Sequence, residues 1–300
     1  MQLIMDRFAS ACKRFGLTIS LGKTKSMYQP ARAQHSGNPS PPAIKIDDTE
    51  IKSVDKFCYL GSTICSSGTL DAEVTLRIAK ASAAFGRLNN ELWNDKGITF
   101  STKINTYRAV LLTTLLYCCE TWTTYRRHIQ QLEQFHQRCL RKILNIRWQD
   151  RVSNLQVLEK SGLPSIESLL IQRQLRWTGH VVRMSDSRIP KMLLYGQLKE
   201  GHRDLGRPHK RFKDTLKTNL KVCDIDIASW ESEALGRSRW RQLSSRGTKA
   251  FERKRTLAIQ EKRERRKQGK TSGEDFPCNT CGKCCASRIG LYSHMRTHTK

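Results

Sequence analysis

The stretch IQQLEQFHQRCLRKIL, residues 129–144, decides the fold class. It sets Ile129, Leu132, Phe135, Leu140, Ile143 and Leu144 at helical spacing, with polar and basic residues between them. That is an amphipathic helix, and the pattern extends in both directions. Upstream, Val74, Ile78, Ala81, Phe85, Leu88 and Leu92 recur every three or four residues, and Ile104, Tyr107, Val110, Leu111 and Leu115 continue the stripe. Downstream lies SLLIQRQLRWTGHVVRM, residues 168–184. A helical block over about residues 66–185 follows, because several one-sided helices bury their apolar stripes most simply against each other.

The flanks differ from this block. Residues 1–65 read as mixed α and β. Leu3, Ile4, Phe8, Ala11, Cys12 and Phe15 mark a helix stopped at Gly16, and short strands are expected at LTIS (17–20) and SMYQ (26–29). Further strands are expected in IKIDDTEIKSV (44–54) and KFCYLGSTI (56–64). Residues 186–248 read as a basic connector with short helices. Residues 249–275, with ERKRTLAIQEKRERRKQGK, read as an exposed charged helix or linker supported by a Glu261–Arg265 pair at i,i+4. Residues 276–300 form a separate tail.

Charge points to a partner class. The chain has 300 residues, with 54 Lys and Arg against 27 Asp and Glu, a formal net charge of +27. Such an excess repels itself in a compact state, and nucleic acid, RNA or DNA, is the polyanion expected to neutralise it. No apolar run is long enough for a membrane helix, and the first residues lack the order of a secretory signal. The expectation is an intracellular, nuclear protein that uses no membrane. Seven of the eleven cysteines (Cys12, Cys58, Cys65, Cys118, Cys119, Cys139, Cys223) are scattered, as buried thiols in a reducing compartment would be.

The other four cysteines are clustered in CNTCGKCCASRIGLYSHMRTHTK, residues 278–300. Counting gives Cys278-x2-Cys281-x12-His294-x3-His298, the ligand spacing of a Cys2His2 zinc finger. Four protein donors leave no open position for an activated water, so the Zn2+ would be structural. Phe276 and Leu291 suit the small core of a ββα finger. Cys285 stands where such a finger carries a phenylalanine, so folding would lean harder on the metal. Cys284 or Cys285 replacing a histidine stays open as a rival ligand set. The base-reading positions would be Ser287, Gly290 and Ser293, too short to grip base edges, so Lys283, Arg288, Arg296 and Lys300 are expected to meet phosphates instead.

The front of the chain then gains a context. IMDRFASACKRFGLTISLGKTKSM (4–27) resembles the end of the palm in reverse transcriptases of non-long-terminal-repeat, LINE-like retrotransposons. KIDDTEIKSVDKFCYLGSTI (45–64) is similar to their primer grip, with Phe57, Tyr59, Leu60 and Gly61 in the matching positions. LLYCCETWT (115–123), RCLRKILNIRWQDRVSN (138–154) and RQLRWTGHVVRM (173–184) resemble the helical thumb and the region after it. GRPHKRFKD (206–214) resembles a basic element farther on, and the tail resembles the family's C-terminal Cys/His element. The resemblance implies a mainly α chain with a small α+β palm-edge remnant in front and a terminal ββα zinc finger. It places Lys23 near incoming nucleotide phosphates.

The resemblance also places the polymerase's paired aspartates ahead of the match to Met5 and Asp6. The expectation is therefore a nucleic-acid-binding, zinc-binding fragment without catalysis. Asp47 and Asp48, the adjacent pair here, read as turn residues. Other histidines, His35, His128, His136, His180, His202 and His209, show no metalloprotease or histidine–carboxylate spacing. Arg138, Arg141, Lys142 and Arg147, and Arg173 and Arg176 beside Trp177, are the basic rows expected to face phosphates, Trp177 itself reading as core. Two alternatives stay open: a sequence-specific DNA-binding finger protein, and a polymerase part that works only with the missing palm.

Overall fold

The 129–144 stripe lies on helix α5 (Arg126–Ile143) in a computed structural model that describes residues 1–29, 41–197, 209–271, 276–285 and 287–298. Leu132, Phe135, His136, Cys139, Leu140 and Ile143 are buried on one side of α5, while Arg138 and Lys142 are exposed on the other. Around it pack α2 (Asp71–Arg87), a helical run through α3 (Phe100–Thr106), a π-type segment (Tyr107–Leu112) and α4 (Thr113–Leu115), then α6 (Asn154–Ser161) and the start of α7 (Ile166–Val182). This is the main hydrophobic core. Val110, expected in its stripe, is exposed: the π-type turn leaves Tyr107, Leu111 and Leu115 as the buried line.

In front of this bundle stand α1 (Gln2–Arg14) and two antiparallel hairpins, β1 (Lys45–Ile46) with β2 (Thr49–Glu50) and β3 (Lys56–Tyr59) with β4 (Ser62–Cys65). Asp47 and Asp48 form the first hairpin's tight turn with φ of 45° and 65°, which explains short polar residues there. Leu60 and Gly61 turn the second, at φ 48° and 84°. The strands expected at 17–20 and 26–29 do not form. Residues 17–20 are irregular and lead into a turn at 21–23, closed by the Lys23 and Thr24 N–H groups donating to the Ser20 carbonyl, and Ser26 makes only a single parallel bridge to Ser53.

The β3–β4 hairpin is held to α2 by a buried ion pair. Arg77 Nε lies 2.7 Å from Glu73 Oε1; Glu73 Oε2 accepts from the Thr63 N–H at 2.6 Å, and Arg77 donates to the Gly61 carbonyl at 2.6 Å. Tyr117 covers the guanidinium, 4.4 Å from ring centroid, and donates its hydroxyl to the Leu60 carbonyl. Every charge in this clamp is paired and hydrogen-bonded, which is the condition for burying it.

The expected connector has a core of its own. After α8 (Ile189–Tyr195), α9 (Phe212–Val222), α10 (Trp230–Leu235) and the long α11 (Arg237–Thr271) pack on the second half of α7 around Leu175, Leu216, Leu220, Trp230 and Trp240. No break occurs at residues 248–249, because α11 runs through that point. At about 1.5 Å per residue it is roughly 50 Å long. Its first half packs on α7: Trp240 donates its indole N–H to the Leu175 carbonyl, and a Cβ on Gly179 would collide with the Trp240 ring. Glu252 accepts from the Ser165 N–H and hydroxyl at the start of α7. The tail has two short strands, β5 (Phe276–Pro277) and β6 (Cys284–Cys285), and a helix, α12 (Arg288–Met295). No helix among the described residues is long and apolar enough to cross a membrane.

Candidate metal centre and basic faces

The tail brings four donors to one point. β5 and β6 pair Phe276 with Cys285 and Pro277 with Cys284. Between them the chain makes a tight knuckle: Cys278 N–H donates to the Lys283 carbonyl at 2.9 Å, and Gly282 N–H to the Cys278 carbonyl at 2.8 Å. Gly282 has φ +71°, a left-handed conformation that a residue with no Cβ adopts freely. Ser287 opens α12, its hydroxyl accepting from the Gly290 N–H at 3.1 Å. The helix carries His294, and the turn after it returns His298 to the same side.

The ligand atoms of Cys278, Cys281, His294 and His298 all lie within 4.8 Å of one another. Cys281 Sγ is 3.1 Å from His294 Nε2, which is 3.2 Å from His298 Nε2. Zinc–sulfur bonds of about 2.3 Å and zinc–nitrogen bonds of about 2.0–2.1 Å at tetrahedral angles need donors roughly 3.3–3.8 Å apart, so this group could hold a metal ion. The Thr280 backbone N–H, with smaller help from Cys281 and His298, lowers the Cys278 thiol to about 6, toward the thiolate that binds metal. Cys284 and Cys285 stand outside the group. Cys284 is exposed with its sulfur 3.9 Å from the Gly282 carbonyl, and Cys285 pairs across the strands with Phe276.

Of the residues expected to meet nucleic acid in the tail, Ser287 is committed to its capping bond. Arg288 lies 5.9 Å from the Phe276 ring centroid and Arg296 5.1 Å from that of Tyr292; Lys283 is exposed, and Lys300 lies outside the described residues. In the bundle, Arg138, Lys142 and Arg147 are exposed. Arg141 instead donates to the Val152 carbonyl and Asn154 Oδ1, both at 2.8 Å, and so holds the α5–α6 connection. Arg173 donates to the Leu116 carbonyl at 2.9 Å. Arg176 is exposed, and Trp177, expected in the core, is only half-buried.

Lys23 sits exposed in its turn, and Asp47 pairs with Lys13 at 2.7 Å. Phe57 is half-buried, whereas Tyr59 and Leu60 are exposed at the hairpin tip. Among the described residues, no further group of three or more His, Cys, Asp or Glu side chains converges as the tail's does. His35 and His202 lie outside the described residues, as does the start of GRPHKRFKD.

Two histidine contacts had no sequence signal, since their partners are distant in the chain. His128 is fully buried and takes the Tyr125 N–H on Nδ1, leaving Nε2–H to donate to Asp71 Oδ1 at 3.0 Å. That bond, backed by the Arg127 charge, holds the Asp71 carboxyl below its ordinary value. His136 is fully buried with Nδ1 2.8 Å from the Tyr107 hydroxyl, and its Nε2 has no hydrogen-bond partner. Both contacts join helices of the bundle.

The chain is 26% identical over 258 residues to a transposon-derived protein of Caenorhabditis elegans, an alignment covering 82% of this chain and 88% of that protein. Similarity across nearly the whole of both chains supports a transposon-related origin. No known family profile matches the sequence, and no solved structure matches it.

Proposed function

We propose that this chain is a zinc-binding, nucleic-acid-binding part of a reverse transcriptase of the non-long-terminal-repeat retrotransposon type, acting without catalysis of its own. The observation that carries the reading is the convergence of Cys278, Cys281, His294 and His298 within 4.8 Å on a strand–strand–helix tail. It supports a Cys2His2 finger with a structural zinc. The net charge of +27 and the exposed cations of α5 supply the electrostatic side of nucleic-acid binding. The transposon-derived relative supports the retrotransposon context. In this reading α1 and the two hairpins are the palm edge and primer grip, the bundle is the thumb, and the protein works in the nucleus on RNA or DNA.

Ser287 favours backbone contact over sequence-specific reading, because its hydroxyl is used inside the finger and Gly290 offers no side chain. A selection on random duplexes that yields no enriched motif would agree with this. The direct test is this purified 300-residue chain with bound zinc measured per chain, and affinity for RNA and DNA oligomers measured against salt. The expected result is one zinc per chain, a steep loss of affinity with salt, and no primer extension. Nucleotide incorporation by this chain alone would sink the non-catalytic reading, and absence of any binding at low salt would sink the whole.

A further inference from the structure

On α7, Arg176, Trp177 and His180 lie three, four and seven residues beyond Arg173, and the four side chains so share one helical face. The opposite side of α7 carries the buried Ile171, Leu175, Thr178 and Val182. Trp177 stands between two hollows. One, of about 700 Å³, is lined by Arg173, Arg176 and His180 with Glu120 as its carboxylate; the other, of about 470 Å³, is apolar, with Val181, Leu194 and Phe212, and is edged by Arg211 and Lys213.

Trp177 is placed differently from the core tryptophans. Trp93 and Trp240 are buried and donate their indole N–H groups to the Phe85 and Leu175 carbonyls. Trp177 is half-buried, and its N–H has no partner among the described residues. Its ring lies 5.5 Å from that of His180. Arg176 and Lys213, one at each hollow, make no hydrogen bond or ion pair to any described residue. Arg211 is already shared with Asp214, and Arg173 with the Leu116 carbonyl.

The geometry points to Trp177 as a base-stacking platform for single-stranded nucleic acid, with Arg176 and Lys213 as the phosphate contacts on either side. This rests on the nucleic-acid reading above and deepens it by naming the strand state and the site. An aromatic face inside a concave, cation-rimmed groove is reached by an unpaired base, whereas the base faces of a duplex are stacked away. Charge complementarity selects the occupant: on a chain of net charge +27 the unpaired Arg176 and Lys213 flank Trp177, one at each hollow, and the apolar hollow beside Lys213 is one that a peptide carboxylate would not fill.

The test uses the zinc-loaded full chain with oligo(dT), oligo(U) and a duplex of mixed sequence. Replacing the exposed Trp148 by phenylalanine removes the competing surface fluorophore. In that background, single strands quench the Trp177 emission and the duplex does not. Trp177→Leu, which keeps apolar bulk, weakens single-strand binding about tenfold and leaves duplex binding unchanged, whereas Trp177→Phe retains most of the affinity. Arg176→Ala lowers the magnitude of the single-strand salt slope by about 0.7. If wild-type protein binds both strand states but Trp177→Leu binds single strands as tightly as wild type, the platform is wrong and the nucleic-acid reading survives. If wild type binds neither, both fall.

Discussion

Arg77 shows how one side chain sets the position of a whole hairpin. It is buried with Glu73 beneath Tyr117, and its bonds reach the Gly61 carbonyl, while Glu73 reaches the Thr63 N–H. Arg77→Ala strands a buried carboxylate and is expected to cost about 3–5 kcal/mol in denaturant titration. Replacing both residues by methionine is expected to cost less, since no charge is left unpaired. His136 makes the complementary point about pH. Burial lowers its imidazole from 6.5 to about 4. Between those pH values the unfolded chain binds a proton that the folded chain refuses, so stability falls as pH falls through the window. The loss is on the order of 3 kcal/mol across it. His136→Gln leaves an acceptor for Tyr107 but takes no proton, and urea midpoints from pH 7 to 4 are expected to lose this component. An unchanged pH profile would mean that His136 is not the titrating group.

At the scale of elements, what the sequence made legible followed from local period and spacing. The stripes of α2 and α5 and the Cys278–His298 spacing each lie within one continuous segment, and in the structure the α5 stripe is buried and the four ligands converge. Contacts across many residues left no such trace: His128 meets Asp71 at a separation of 57, and Trp240 enters the notch at Gly179 from 61 residues away. Residues 186–248 read as a connector in sequence for the same reason. Helices α8, α9 and α10 are short, and their apolar residues become a core only when α7 and α11 bring them together. The half-exposure of Trp177 likewise depends on α8 and α9 leaving a groove. In the tail, two-residue strands and an eight-residue helix bury almost no apolar surface, and Cys285 adds little to it. Helix α12 should therefore depend on the ion: chelation, or Cys281→Ser, is expected to abolish the protection of the Leu291 and His294 amides in hydrogen exchange. The α5 and α7 amides should keep theirs. Retained protection in α12 after complete metal removal would show that the tail folds without it.

Across the whole molecule, stability and binding respond to salt in opposite senses because one charge distribution serves both. Twice as many basic as acidic side chains repel one another in the folded state, and α11 carries a dense exposed row of them along residues 262–266, beyond the Arg255–Glu167 contact to α7. Exposed charges separated by about 10 Å are screened near 0.1 M salt, so raising KCl from 20 to about 300 mM relieves the repulsion. The melting temperature of the free protein is expected to rise by a few degrees. Over the same range, affinity for nucleic acid should fall steeply, because each neutralised phosphate releases a counterion whose entropy counts for less in concentrated salt. A bound oligonucleotide should therefore stabilise the protein strongly at low salt and hardly at all at high salt, as mass action requires. Thermal melts with and without oligonucleotide across the salt series test both slopes in one experiment. A free-protein melting temperature that falls as salt rises would mean that attractive pairs such as Arg127–Asp71 and Arg126–Glu167 outweigh the net repulsion. The basic excess would then be locally compensated on the folded surface instead of being held open for a polyanion.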